Sequence, residues 1–305
     1  MLAGFAVIGV VILVGFVAGR LHLLGDQAQY VLSRLVFFVL APCLLFTVLA
    51  RADVHELFSS RLTVSALAAI ACFVVFATVA RLVFRRAVPE TVIGSLGSGY
   101  VNANNIGIPV AAYVLGDASF SAPVILVQLL LFAPVALAIL DASTRGHVSV
   151  RLVLRGIVRN PLIIGSLLGA LVAVTGIELP DVVLEPFALI GAAAVPVVLI
   201  SFGMSLSASR LLAPGSGRRD ILLATLLKLL VMPVVAWLLA RFVFGLEGHD
   251  LFGLVVLAAL PTAQNVFNYA QRYDRGVIIA RDTVLLTTVL CVPVLFVVAL
   301  LLAPA

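Results

Sequence analysis

Six side-chain amides stand close together in two short stretches of an otherwise apolar chain. Asn102, Asn104 and Asn105 lie in the run Asn102-Ala-Asn104-Asn105-Ile-Gly107-Ile-Pro109, and Gln264, Asn265 and Asn268 lie in Pro261-Thr-Ala-Gln264-Asn265-Val-Phe-Asn268. An amide can donate to a carboxylate and accept from a cation. Irregular, polar backbone at membrane depth survives only where protein buries it or where it lines a water-filled cavity. Gly94, Gly97 and Gly99 precede the first stretch and allow close helix approach, while Pro109 removes a backbone donor and displaces a carbonyl. The helix is expected to unwind between them, with Gly107, Pro109 and Pro261 as the backbone elements of the two breaks. Freed N–H groups suit an anion and freed carbonyls suit a cation. The plainer alternative is that each amide is interhelical glue, a weaker role of well under about 2 kcal/mol. Six amides gathered in two matching segments favour a polar, uncharged binding site.

Ionisable groups at depth are rarer still. Lys228 closes the run Asp220-Ile-Leu-Leu-Ala-Thr-Leu-Leu-Lys228, about 12 Å inside its helix at ~1.5 Å per residue. Two readings stand open: a lysine that snorkels to the interface, or one that faces a cavity and partners an anionic substrate or a neighbouring carboxylate. Asp282 is the nearest carboxylate by topology. Arg281 stands next to it, but adjacent helical residues point in different directions, so their pairing is not assumed. Gln128 and the hydroxyls of Thr283, Thr287 and Thr288 are weaker polar candidates, with Asp282 and Thr283 as coupling residues. Cys43, Cys72 and Cys291 lack metal-ligand spacing and read as small buried hydrophobes. His22, His55, His147 and His249 fall at loops or helix ends, which argues against a metal cluster or a proton relay.

These groups must be positioned by membrane helices. Of 305 residues 63% are hydrophobic and only 11% charged, with mean hydropathy +1.26, a composition that excludes a soluble domain. A spanning helix needs about 20 apolar residues, and ten such stretches occur at about 2–19, 31–50, 62–84, 91–115, 120–140, 160–176, 183–207, 220–244, 250–272 and 278–302. No basic residue precedes the first and no small-residue cleavage pattern follows it, so it reads as a retained helix. The net charge of +5 comes from arginines in the loops joining helices 1–2, 3–4, 5–6, 7–8 and 9–10. Only Arg51, Arg61 and Arg241 fall in the opposite loops. That bias places the arginine-rich loops in the cytoplasm and both termini outside, in a multi-pass protein of the cytoplasmic membrane. It also removes the case for a nucleic-acid partner.

The two halves repeat. Ala80-Arg-Leu-Val-Phe84 returns as Ala240-Arg-Phe-Val-Phe244, and the same offset pairs Glu90 with Asp250, Asn102 with Thr262, Asn104 with Gln264, Asn105 with Asn265 and Tyr113 with Tyr273. Pro134 answers Pro293, and Pro42 answers Pro196. Five helices per half force opposite membrane senses. The expected fold is therefore an all-α polytopic protein, a 5+5 inverted repeat with proline-broken crossover helices 4 and 9. Its first repeat is 1–140, its cytoplasmic linker 141–159 and its second repeat 160–305. Such repeats mark alternating-access carriers whose site sits at broken helices near the midplane.

These residues resemble the auxin efflux carrier family, relatives of the plant PIN proteins, and the chain looks like a bacterial member over nearly its whole length. Asn102, Gly107 and Pro109 reproduce the family's fourth-helix pattern. Pro261, Asn265 and Tyr273 resemble the ninth, and Thr283, Thr287, Thr288 and Pro293 the last. The resemblance implies a homodimer without an enzymatic cofactor, with helices 1, 2, 6 and 7 as scaffold and helices 3–5 and 8–10 as transport bundle. It further implies a fold similar to the bile-acid symporters and sodium/proton antiporters. Plant members carry a long loop between helices 5 and 6, whereas this chain has only Asp141 to Asn160 there, so regulation through such a loop is absent. The implied substrate is a small organic anion, a carboxylate or an auxin-like acid, bound where helices 4 and 9 cross.

A sodium- or proton-coupled carrier of the same fold is the first alternative, but antiporters need titratable carboxylates at the crossing and this crossing has amides. A transport-inactive receptor of the same fold has little loop surface for a signalling partner. An intramembrane enzyme has no support, because no HExxH, paired metal-binding aspartates or Ser/His pair at depth is present. A Gly-rich ATP loop is also missing. The orientation has a direct test. A cysteine introduced between 141 and 160 is expected to react with an impermeant reagent only after the inner face is opened, and one appended after Ala305 to react from outside; the reverse pattern refutes the inverted topology.

Overall fold

Apolar side chains with no water at hand leave a spanning backbone one economical way to pair its polar groups, the α-helix. The computed structural model describes residues 2–25, 27–51, 60–145, 158–177, 179–207 and 217–303, and among them the only β feature is one isolated bridge, Val101 with Thr262. Among the described residues, six helices are long and apolar enough to cross a membrane: Ala28–Ala50, Ser60–Leu82, Ala118–Thr144, Asp181–Met204, Arg218–Val243 and Val277–Leu302. Shorter apolar helices run over Gly9–Arg20, Ala103–Leu115, Pro161–Thr175 and Gly248–Ala259. Most of the expected 141–159 linker, with His147, Arg151 and Arg155, lies outside the described residues, as do His55 and Arg210.

Local chemistry sets the helix ends. At Pro161–Thr175 the Asn160 side chain accepts from the Leu162 N–H at 3.0 Å, proline takes the first position, and Gly176 closes the helix in the left-handed region at φ 64°. This is the usual division of labour between a polar N-cap, an N-terminal proline and a C-terminal glycine.

The described residues gather into two compact units. One is drawn from Met1–Ser59, Asn104–Leu126 and Arg155–Ser209, the other from Ser60–Ala103, Val127–Leu154 and Arg210–Ala305. In the first, Leu2–Arg20 packs on Ala194–Ser207 so closely that a Cβ at Gly15 would sit 2.2 Å from the Ile200 carbonyl oxygen. Likewise Pro161–Thr175 lies against Ala41–Ala50, where Gly165 faces the Pro42 carbonyl. Contacts of this kind hold helices together in lipid, where apolar burial offers no gain.

In the second unit Ser60–Leu82 lies on Val88–Gly99. Ser98 Oγ donates to the Cys72 carbonyl at 3.1 Å and Ser95 Oγ to the Phe73 carbonyl at 3.3 Å, while Gly94 makes room for the ring of Phe76. Ion pairs mark the helix ends: Arg61 with Asp250 at 2.7 Å, Arg86 with Asp220 at 2.6 Å, and Arg241 with Glu247. The hydrogen bonds to Asp220 hold the Arg86 guanidinium above its already high range.

Four helices widen into π-turns at Val36–Leu40, Ala103–Gly107, Gln128–Phe132 and Leu227–Val231. Each is followed two residues later by a proline, Pro42, Pro109, Pro134 and Pro233. Proline lacks the N–H and pushes on the carbonyl four residues back, and the helix absorbs that by opening one turn rather than by ending. Pro109 accordingly sits inside helical structure. Its chain leaves the helical path earlier, at Tyr100–Asn102.

Arg218–Val243 turns a π-turn to use. Asp220, Ala224, Lys228, Met232, Ala236 and Ala240 are each at most 1% exposed, a stripe with a period of four. An ideal α-helix drifts about 40° at every four-residue step, which would carry the stripe around to another face. The extra residue accommodated at Leu227–Val231 takes back about 100° of that drift, and a second π-turn at Leu239–Val243 lies where the stripe ends.

Close packing at Gly94 is measurable. Its added Cβ would meet the Phe76 ring at 2.2 Å, so Gly94→Ala is expected to destabilise by about 1–3 kcal/mol through overpacking. Nothing lies within 4 Å of a Cβ at Gly9, and Gly9→Ala should leave the melting temperature in detergent unchanged.

Candidate functional site

Two helices of the second unit, Val88–Gly99 and Gly248–Ala259, end at the two breaks, and the extended residues that follow them pair with each other. The Asn102 N–H donates to the Pro261 carbonyl at 2.8 Å and the Ala263 N–H to the Tyr100 carbonyl at 2.9 Å, which makes the Val101–Thr262 bridge antiparallel. Thr262 fastens the junction twice more. Its hydroxyl donates to the Gly97 carbonyl at 2.6 Å, and its N–H donates to Thr287 Oγ1 at 3.1 Å. Thr287 Oγ1 in turn donates to the Thr283 carbonyl at 2.7 Å.

Both helix C-termini are thereby supplied with donors. Thr262 serves the first, and Lys228 serves the second, because its ammonium donates to the Ala258 carbonyl at 2.7 Å. A cation at a helix C-terminus is favourable. Lys228 is 0% exposed, so it does not snorkel. It also does not reach Asp282, whose Oδ1 accepts from Arg281 Nε at 2.7 Å. Adjacent residues thus pair after all, since a long guanidinium can fold back along its own helix.

The helix Gln264–Tyr273 starts at the second break. Ala263, its N-cap, offers no side-chain oxygen to the first-turn N–H groups, which leaves the positive end of that helix open to an acceptor. Asn265 and Tyr269, one turn apart, are both half-buried there. The Tyr269 ring meets Tyr100 edge to face with centroids 6.4 Å apart, and the side chain of Asn265 lies close to the Tyr100 phenol. It also reaches the Gln128 carbonyl at 3.5 Å.

Of the residues singled out in the sequence, Asn102, Asn265, Gln128, Lys228, Thr283 and Pro261 therefore share the second unit's break region. Asn102 and Gln128 are buried, and Thr283 packs against Gly97 with its hydroxyl making no protein hydrogen bond. Gln264 is half-buried and Asn268 is exposed. Asn104 and Asn105 belong to the first unit, where the Asn104 amide donates to Asn105 Oδ1 at 2.9 Å; Gly107 and Pro109 are buried beside them in the chain. Tyr100, Thr262 and Tyr269 were not foreseen as site residues, whereas Thr287, a weaker polar candidate, accepts from the Thr262 N–H and fastens the junction. Their signals were present: Tyr100 follows the glycine run directly, Thr262 occupies the repeat position of Asn102, and Tyr269 lies at i+4 from Asn265. A separate cavity of about 630 Å³ in the first unit, lined by Arg51, Gly176 and Asp181 among others, contains none of these residues.

Six helices long and apolar enough to cross a membrane, among the described residues, define the class as a membrane protein. The chain belongs to the membrane transport protein family, which matches residues 4–299 and is the family of the auxin efflux carriers. Over 291 residues it is 26% identical to a "Putative malonate transporter" of Rhizobium meliloti (strain 1021), covering 92% of this chain and 89% of the relative. Over 287 residues it is 25% identical to an "Uncharacterized transporter" of Methanothermobacter thermautotrophicus, covering 92% and 91%. The family and these relatives are transporters, and the protein is not an enzyme.

The junction has its own test. Thr262→Val keeps the shape but strips the donor from the buried Gly97 carbonyl, with an expected loss of about 1–3 kcal/mol. Thr262→Ser should restore most of it in a thermal melt.

Proposed function

We propose that the protein is a secondary carrier of a small carboxylate, working by alternating access in the cytoplasmic membrane, with the substrate held at the paired breaks. The observation that carries this reading is the junction itself: two half-helices end at one hydrogen-bonded crossing, and a third begins there with an uncapped N-terminus among amide and phenol side chains. Backbone of this kind is stable at depth where it lines a cavity, and helix N-termini at broken helices recognise carboxylates in carriers. Asn102, Gln264 and Asn265 supply neutral donors, and Lys228 supplies a basic group behind the second break. Asn268, Gln128, Asp282 and Thr283, all in the second unit, complete the candidate set.

The proposed fold is ten spans in a 5+5 inverted repeat with both termini outside. Six long helices and four shorter apolar ones support the count, and the arginine distribution supports the orientation. Helices 3–5 and 8–10 form the moving bundle against a scaffold of 1, 2, 6 and 7, in a homodimer of the kind the family resemblance implies. Packing of Ser60–Ala103, Val127–Leu154 and Arg210–Ala305 into one unit supports that division, although 104–126 groups with the other unit. A relative named for malonate makes a short dicarboxylate the first substrate to try.

The test is uptake of labelled malonate into proteoliposomes, together with binding to purified protein. Wild type should bind and exchange it. Asn102→Ala and Asn265→Ala should stay folded and bind about 10- to 150-fold more weakly, as expected for a lost hydrogen bond of about 1.5–3 kcal/mol to a charged group. Unchanged binding in both variants returns these amides to packing, and absence of exchange in wild type rejects the substrate class.

A further inference from the structure

Among the described residues the break region holds one basic side chain with no acid paired to it, Lys228, and that number selects the ionic form of the substrate. Lys228 is fully buried, donates to the Ala258 carbonyl and lies 3.3 Å from Met232 Sδ; among the described residues no carboxylate forms an ion pair with it. The titratable groups on the elements packed around it can be named. Ser60–Leu82 brings Cys72, Arg61 and Arg81, Val88–Gly99 brings Glu90, Gly248–Ala259 brings His249 and Asp250, and Val277–Leu302 brings Cys291, Arg281 and Asp282.

The acids among these are already engaged. Asp250 pairs with Arg61, Glu90 with Arg275 at 3.8 Å, and Asp282 with Arg281, while Asp220 on the lysine's own helix pairs with Arg86. Asp141 accepts from the Tyr273 phenol at 3.0 Å. A buried ammonium without a counter-charge is unfavourable and is relieved by one negative charge. A second negative charge at the break would meet only neutral groups: the amides of Asn102 and Asn265, the phenols of Tyr100 and Tyr269, and first-turn N–H groups.

Resting on the reading of the protein as a small-dicarboxylate carrier, we propose that it binds the dicarboxylic acid as its monoanion. One carboxylate answers the field of Lys228 and the open helix N-terminus. The other end stays a protonated carboxyl, which donates its O–H to the amide oxygen of Asn265. Each substrate molecule then takes one proton across with it, and proton coupling needs no titrating side chain at the break.

The experiment compares two probes on the full-length protein across the pH range in which malonate passes from monoanion to dianion. Malonamate has the same size and a neutral donor end, and keeps a single carboxylate throughout. Below neutral pH, malonate affinity should fall about tenfold per pH unit once the dianion dominates, the signature of one bound proton, while malonamate affinity stays flat. Lys228→Gln should weaken both probes at least tenfold without altering the malonate slope, and Lys228→Arg should retain part of the binding. A malonate affinity that is flat or rises with pH overturns the proposal, as does malonate binding without malonamate binding. Binding of neither probe at any pH overturns the carrier reading and this proposal with it, whereas the first two outcomes leave the carrier reading standing.

Discussion

The structure depends on one constraint, that hydrocarbon cannot solvate a peptide group. Two helices that stop in mid-course expose carbonyls at their ends and N–H groups in the residues beyond, and each would be costly in lipid. The protein lets the two interruptions satisfy each other. Asn102 N–H and the Pro261 carbonyl, Ala263 N–H and the Tyr100 carbonyl form the smallest possible antiparallel pairing, and the leftover carbonyls of Gly97 and Ala258 go to Thr262 and Lys228. Either break alone would be an orphan. Together each supplies backbone partners that the other needs.

Backbone pairing at the junction uses the Asn102 N–H and leaves the Asn265 side chain outside it. The Tyr100–Tyr269 pair adds phenols to the amides in a place where Tyr100 is 1% exposed. Small residues make the enclosure tight: Gly94, Gly97 and Gly99 let Val88–Gly99 lie directly on its neighbours, and a Cβ at Gly99 would meet the Ala69 carbonyl at 2.9 Å.

Much of this was legible in the sequence because the constraint acts on composition. Apolar runs gave the helices, and proline, glycine and amide clusters gave the position of the interruptions. Less visible was where each break begins. Pro109 marks the first stretch, yet the backbone departs at Tyr100 and the proline is absorbed by a π-turn, since a widened turn removes the clash at lower cost than a stop. Pairing across the junction was also hidden: Thr262 reads as an ordinary small polar residue until Gly97 and Thr287 are brought beside it by helices distant in the chain. Lys228 showed depth but not direction, because burial depends on which face of its helix the neighbours cover. Topology likewise named Asp282 only as the nearest carboxylate, and in the structure it pairs with Arg281.

The four-residue stripe on Arg218–Val243 has a consequence for how this helix can vary. Six side chains stacked in line form a straight rail, and the rail exists only because one turn holds a residue too many. Deleting a single residue within Leu227–Val231 would let the turn relax to ordinary α geometry and twist everything beyond it by about 100° relative to what precedes it. Met232, Ala236 and Ala240 would swing out of the interior while Asp220 and Ala224 stayed, although no apolar residue had been made polar. Length in this helix is therefore under tighter restraint than composition: many side chains along it can be exchanged for others of similar size, but its residue count between Asp220 and Ala240 cannot change by one.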